Sequence, residues 1–498
     1  MKRCRRLTAA IAAAAIFFLS APASPCAATV VEHTFLVSQV NMTRLCKETL
    51  VTVVNGQLPG PTIEVTEGDS VAVHVVNKSP YNITVHWHGV KQRLNCWADG
   101  MPMVTQCPIL PDHSFTYRFN VTGQEGTLWW HAHVSFLRGT LHGAFIIRLR
   151  HGAGSYPFPK PYKDVPIIIV GSTGALVTLK MAGELWEMDL DLLDKNMMNG
   201  FFDDNPSAAT INGKPGDACN CSGAVKDGYA LEVDPGETYL LRIINAALSS
   251  EYYLKIAGHK FTVVAADANY VSPLHHGRHR GGARRDPGRP RGCRCAAGRR
   301  QSPEPDLQVP VLVSRAVVQY KTNYVTGHVD HDDGVLPAVS PEMPDQHDSM
   351  TSFYFHGNLT SSQLRARAPP RDVDEHLFVT LGLGSVCRGD RPSCNRSGSH
   401  ESIIVGTMNN VSFQLPAAAS TTPLLEAHYR NPAGDITGSS SLLQELPVTP
   451  ARPFNYTDAS LIPWGPKEAR GSSRRPGAPR RGGSGTAPWW RWCSRARR

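Results

Sequence analysis

Val85-His86-Trp87-His88-Gly89 and Thr127-Leu128-Trp129-Trp130-His131-Ala132-His133 are the two stretches on which the reading of this chain turns. In an extended strand, residues two apart point to the same face. Each His-x-His can therefore aim two imidazoles at one spot while its middle residue faces the other way. Two such strands side by side present four convergent ring nitrogens, and neutral imidazole suits copper, zinc, iron and nickel. His86, His88, His131 and His133 are accordingly the candidate metal ligands.

Around these motifs the sequence alternates and is β-branched. Val51-Thr52-Val53-Val54 stops at Asn55-Gly56, and Val71 to Val76 stops at Asn77. Ile83-Thr84-Val85-His86, Phe115 to Phe119 and Ala144 to Ile147 follow. Short strands at this spacing predict a sandwich or barrel of antiparallel strands. Residues 161–270 repeat the texture through Val165 to Val170 and Tyr239 to Ile244, and 310–325 read as return strands. A third unit begins near Asp372, with His376 to Leu381 and Ser402 to Val405. The expected fold is all-β. Its expected boundaries are a leader at 1–28, units at 29–150, 158–330 and 372–469, a linker at 331–371 and a tail at 470–498. Inside the second unit, 275–300 is dense in Arg, Gly and Pro with little to bury, as is the tail, and both are expected to be disordered. Out-of-frame translation of a GC-rich coding sequence is one account of them. A cationic, membrane-active end at Trp489-Trp490-Arg491-Trp492 is another account of the tail.

The net charge of +9 over 498 residues is unevenly placed. Residues 277–300 carry +8, residues 467–498 carry +9 and the leader +4, leaving −12 for the rest. The body is acidic, so basicity is no argument for a nucleic-acid partner. Lys2, Arg3, Arg5 and Arg6 ahead of an apolar run from Leu7 to Leu19 read as a secretory signal. No later run is apolar enough to span a bilayer. Asn41, Asn77, Asn82, Asn120, Asn220, Asn358, Asn395, Asn410 and Asn455 each open an N-x-Ser/Thr triplet, the mark of an exported glycoprotein. An extracellular monomer without stable membrane insertion is the expectation.

The resemblance to a known family is carried by these motifs and their surroundings. The first His motif continues into Trp97-Ala98-Asp99-Gly100 and Thr105-Gln106-Cys107-Pro108-Ile109, and the second into Leu137-Arg138-Gly139-Thr140. With Asn55-Gly56-Gln57-Leu58-Pro59-Gly60-Pro61, Gln319 to Tyr324, Asn409 to Pro416 and Leu461 to Pro466, the chain resembles plant laccases over 30–270 and 305–469. That resemblance implies three cupredoxin-like Greek-key β-sandwich domains, the third incomplete here. It also implies a secreted, apoplastic oxidase of phenols, such as lignin precursors, that reduces dioxygen to water with four coppers. Under it His86 serves a type 2 copper, while His88, His131 and His133 serve the type 3 pair. Trp87 and Trp130, alternating with the ligands, pack behind the strands and hold the imidazoles.

The family takes four more cluster histidines from His-x-x-His-x-His and His-Cys-His motifs, and the latter's cysteine builds the type 1 site. These 498 residues contain no His-Cys-His, and the last histidine is His428. The sequence thus encodes four of eight cluster ligands and no type 1 site, and is not expected to oxidise phenols as written. The other reading is a non-catalytic, secreted copper-binding remnant or pseudogene product. A zinc hydrolase is disfavoured, since no general-base Glu follows a zinc motif. His328 and His331 are read as part of a solvated acidic loop, over a weak metal site, His275, His276 and His279 as bystanders, and His142 and His259 as structural. Of twelve cysteines, the resemblance bridges Cys46 to Cys219 or Cys221 and pairs Cys107 with a cysteine these residues lack. A local Cys387–Cys394 bridge is open, and Cys96 has no assignment.

Overall fold

The period-two alternation of the first 150 residues becomes eight strands: β1 Val30–Arg44, β2 Lys47–Val54, β3 Ile63–Thr66, β4 Ser70–Asn77, β5 Val85–His88, β6 Ser114–Asn120, β7 Gly126–Ala132 and β8 His142–Arg148. They form two four-stranded sheets, ordered β2-β1-β4-β6 and β3-β8-β7-β5. Their inward residues, including Phe35, Val73, Trp87, Tyr117, Trp130 and Phe145, make one core. The expectation of purely antiparallel strands is corrected. β1–β4 and β3–β8 are parallel pairs, because the chain leaves one sheet for the other between them and returns in the same direction. This computed structural model describes residues 29–44, 47–150, 156–173, 206–214, 228–248, 251–276, 293–300, 313–321, 341–344, 349–362, 381–387, 401–408 and 422–430, with a few isolated positions between them.

A second unit follows: β9 Lys163–Thr173, β10 Pro206–Ile211, β11 Ala230–Val233, β12 Tyr239–Asn245, β13 Glu251–Ile256, β14 Phe261–Ala266, β15 Asn269–His276, β16 Cys293–Arg300 and β17 Val313–Tyr320. Its own core gathers Val165, Ile167, Ile169, Ile211, Leu231, Val233, Ile256, Ala316 and Val318. The expected disorder of 275–300 is corrected at both of its ends. β15 runs on through His276, and Cys293–Arg300 is an inner strand paired antiparallel to β13 and β17. Neighbours on both sides satisfy that strand's backbone donors and acceptors, which composition alone does not reveal.

Beyond these lie α1 Ser349–Asn358, the hairpin β18 Leu381–Cys387 and β19 Ser402–Met408, and α2 Leu424–Arg430. The linker expected at 331–371 is corrected by α1. The helix is Pro-free and its aromatics follow no helical stripe, with Phe353 and Tyr354 both exposed, so no periodicity marked it. Of the strand expected at 376–381, Val379 is not in a strand and Leu381 opens β18, while 376–378 and 380 lie outside the described residues. The leader, the tail, and Cys46, Cys219 and Cys221 fall outside the described residues. Cys387 and Cys394 are disulfide-bonded, whereas Cys96 and Cys107 are free and exposed. No helix among the described residues is long and apolar enough to cross a membrane.

One of the expected glycosylation sites is buried. Asn77, at the end of β4, has no exposed surface. Its Nδ2 donates to the carbonyls of Tyr81 and Ile109 at 2.7 and 2.9 Å, and its Oδ1 accepts from the Ser79 amide and hydroxyl at 3.0 and 2.7 Å. The Ser79 of the triplet is itself occupied in holding the turn. Asn41, Asn82, Asn120 and Asn358 are exposed, and Asn220, Asn395, Asn410 and Asn455 lie outside the described residues. Asn77→Ala, which orphans those buried partners, is expected to cost about 2–4 kcal/mol of stability in urea unfolding. Asn41→Ala is expected to cost under about 0.5 kcal/mol. Peptide mass spectrometry of chain from a glycosylating host should find Asn77 bare.

Candidate metal centre

β5 and β7 pair antiparallel with Val85 opposite Ala132, His86 opposite His131, Trp87 opposite Trp130 and His88 opposite Trp129. Since side chains alternate, this register sorts the residues onto two faces. Trp87 and Trp130 are wholly buried in the core, and the Trp130 indole N–H donates to the Pro61 carbonyl at 2.9 Å. His86, His88 and His131 share the opposite face. His133 lies just past the strand end, where its amide donates to the Thr84 carbonyl at 3.0 Å. The expectation that the tryptophans pack behind the ligands matches what is found.

The four imidazoles cluster. Ring centroids of His86 lie 5.6 Å from His88 and 5.3 Å from both His131 and His133, and His131 lies 5.7 Å from His133. One nitrogen from each of His86, His88 and His131 falls within 4.8 Å of the others. Nδ1 of His86 donates to the Asp99 carbonyl at 2.7 Å, and Nδ1 of His131 to the Ala132 carbonyl at 2.7 Å. A carbonyl only accepts, so each of these rings carries its proton on Nδ1 and keeps its Nε2 lone pair for the cluster. His88 is turned the other way, its Nδ1 lying 3.3 Å from Nε2 of His131. Two nitrogens at that separation can share one proton or one metal ion, since bonds of ~2.0 Å span it at an angle of about 110°. The donor set is all nitrogen and fits copper or zinc.

Burial disfavours the charged form of three of these rings. Burial, reinforced by the charges of His86 and Arg138, pulls His88 and His133 down to about 4, and burial holds His131 well below its ordinary value. His142 is buried and its Nδ1 donates to the Arg138 carbonyl at 2.9 Å, and His259 bonds Ala257 and Tyr320, so both are structural as expected. His328 and His331 lie outside the described residues.

Two residues of the site went unread in the sequence. Asp99 meets His86 chiefly through its backbone carbonyl, which no side-chain pattern signals, with its carboxylate 3.5 Å from the same nitrogen. Trp129 shares the parity of His131 and His133, and that alone could have placed it on the metal face. It packs on His88 and His131, with centroids 5.1 and 4.3 Å apart.

Residues 36–152 and 178–276 match the multicopper oxidase family. The chain is 56% identical over 494 residues to Laccase-15 of Oryza sativa subsp. japonica, covering 94% of this chain and 78% of that protein. It is 50% identical over 480 residues to Laccase-19 of the same source, covering 94% and 76%. Among solved structures, the fold is similar to Fet3p, a multicopper oxidase that functions in iron import, with a TM-score of 0.53 and 20% identity over 79% of this chain and 66% of that one. It is likewise similar to the laccase from Botrytis aclada, with a TM-score of 0.52 and 21% identity over 81% and 67%. The chain belongs to the multicopper oxidases and, within them, to the plant laccases. Its sandwich domains are thus cupredoxin-like, and it is a copper oxidoreductase by family.

Two outcomes follow from this geometry. Gly100 holds φ at +82°, and a Cβ there would sit 1.9 Å from the Val85 carbonyl oxygen. Gly100→Ala should displace the neighbouring Asp99 carbonyl and weaken Cu(II) binding by about tenfold or more in calorimetric titration. Unfolded histidines take protons near 6.5, whereas His88 and His133 resist them down to about 4. Chelator-treated chain should therefore hold its full stability above pH 6.5 and lose of order 3 kcal/mol per imidazole as pH falls towards 4. The measurement is urea unfolding across that range, and His133→Gln should flatten the slope.

Proposed function

We propose that His86, His88, His131 and His133 form the first-domain half of a trinuclear copper cluster, with His86 at the type 2 position and the other three at the type 3 pair. The observation that carries this reading is the inward aim of the ring nitrogens, with His88 Nδ1 and His131 Nε2 3.3 Å apart. In a complete cluster, copper would supply the one-electron chemistry that couples oxidation of phenols, such as lignin precursors, to reduction of dioxygen. The chain's own part is to hold and orient. The Asp99 and Ala132 carbonyls fix the tautomers of His86 and His131, and burial keeps His88, His131 and His133 unprotonated and ready to bind.

By themselves these 498 residues bind copper without oxidising phenols, because they contain no His-Cys-His to build a type 1 site through which electrons enter. The leader sequence and the exposed Asn41, Asn82, Asn120 and Asn358 support a secreted glycoprotein of the extracellular space. The test is copper loading of the purified chain followed by metal analysis, optical spectroscopy and a phenol-oxidation assay. Copper should be retained and largely lost in His131→Ala, with no blue charge-transfer band and no turnover. Unchanged stoichiometry in His131→Ala removes the cluster from the account, and turnover of a phenol overturns the claim of inactivity.

A further inference from the structure

Two of the four imidazole rings have a hydrogen-bonded anchor: the Asp99 carbonyl for His86 and the Ala132 carbonyl for His131. His88 has none. Its one hydrogen-bond partner among the described residues is His131, another ligand. What lies against the His88 ring is Trp129, its partner across the β5–β7 ladder, tilted 37° with centroids 5.1 Å apart. The same indole stacks on His131 at 4.3 Å and 35°. A ring resting on two others restricts both tilts, and offset aromatic contacts of this kind are favourable beyond the area they bury. Trp129 also packs against the cluster formed by Ala144 and Ile146 of β8, Ile168 and Val170 of β9, and Ile244 and Ala246. Its support is therefore rigid, and partly contributed by the second domain.

We propose that Trp129 is a positioning residue of the metal centre, whose indole sets the tilt of His88 and His131 so that Nδ1 of one and Nε2 of the other meet on a single ion. It rests on the copper reading above and adds a determinant outside the ligands themselves. Trp129→Leu keeps an apolar filler of the interdomain packing but removes the stack, whereas Trp129→Phe keeps a ring. Cu(II) alone is the probe, titrated by calorimetry. Trp129→Leu should bind about 10–100-fold more weakly than the parent, the range usual for loss of a residue that orients ligands. Trp129→Phe should stay within about threefold of the parent. Circular dichroism and the unfolding midpoint report whether each variant folds.

Fluorescence supplies an arm that needs no folded Leu variant. Cu(II) quenches nearby indoles and closed-shell Zn(II) does not, so Trp129→Phe should lose a larger share of the Cu(II)-specific quenching than Trp130→Phe does. A Trp129→Leu chain that binds Cu(II) like the parent overturns the inference alone, as does unchanged quenching in Trp129→Phe. A parent chain that binds no Cu(II) overturns it together with the copper reading.

Discussion

The hydrogen-bonded ladder between β5 and β7, in one register, is the constraint on which the rest depends. It places His86 opposite His131 on one face and Trp87 opposite Trp130 on the other. A slip of one residue would bring the tryptophans out of the core and drive imidazoles into it. The register is held from the core side, where both indoles are completely buried and Trp87 packs on Tyr117, Phe119 and Phe145. Burial of aromatic bulk, not attraction between histidines, therefore assembles the ligands. Four imidazoles crowded together out of water are an unfavourable arrangement in their charged form, and the core bears that cost.

Among the described residues the second domain offers no imidazole to this cluster, yet it packs on the face beside it. Arg242 of β12, almost wholly buried, bonds Asp164 at 2.5 Å, the Thr127 hydroxyl of β7 at 2.8 Å and the Tyr156 hydroxyl at 3.2 Å. Asp164 in turn pairs with Arg148 of β8, which also holds Glu64 of β3. Burial alone would raise the Asp164 carboxyl, but the two guanidiniums hold it below its usual range. Removing one partner from such a buried network costs about 3–5 kcal/mol, because the remaining charge is left uncompensated. The network grips the strand that carries His131, so domain docking and ligand placement share a part.

Much of this was legible in the residues. Alternation in Val71 to Val76 and Phe115 to Phe119 marked strands correctly, and the His-x-His spacing gave the ligand face, because both follow from the two-residue repeat of an extended chain. What stayed hidden depends on contacts distant in sequence. The parallel pairing of β1 with β4 follows from chain crossings, not from local pattern. Strand Cys293–Arg300 looks unfoldable by composition and is placed by neighbours on both sides. Asn77 fits a glycan acceptor triplet in every letter, and only its burial shows that the amide is already spent. Asp99 bonds His86 through a carbonyl that every residue possesses, and its carboxylate nearby is brought there by the fold and not by any local spacing.

The loop that bears Asp99 also meets a distant part of the chain. The first amides of α2, at Leu424 and Leu425, donate to the carbonyls of Met103 and Val104 at 2.9 Å, and Tyr429 sets its ring edge-on to Trp97. Asp99 and Gly100 lie between those two footholds. The segment is thus a short lever, pinned at either end by a helix more than three hundred residues downstream and bearing at its middle on the ring of His86. The orientation of one ligand thus rests, through the Asp99 carbonyl, on a segment fastened to a part of the chain that, among the described residues, supplies the site no imidazole.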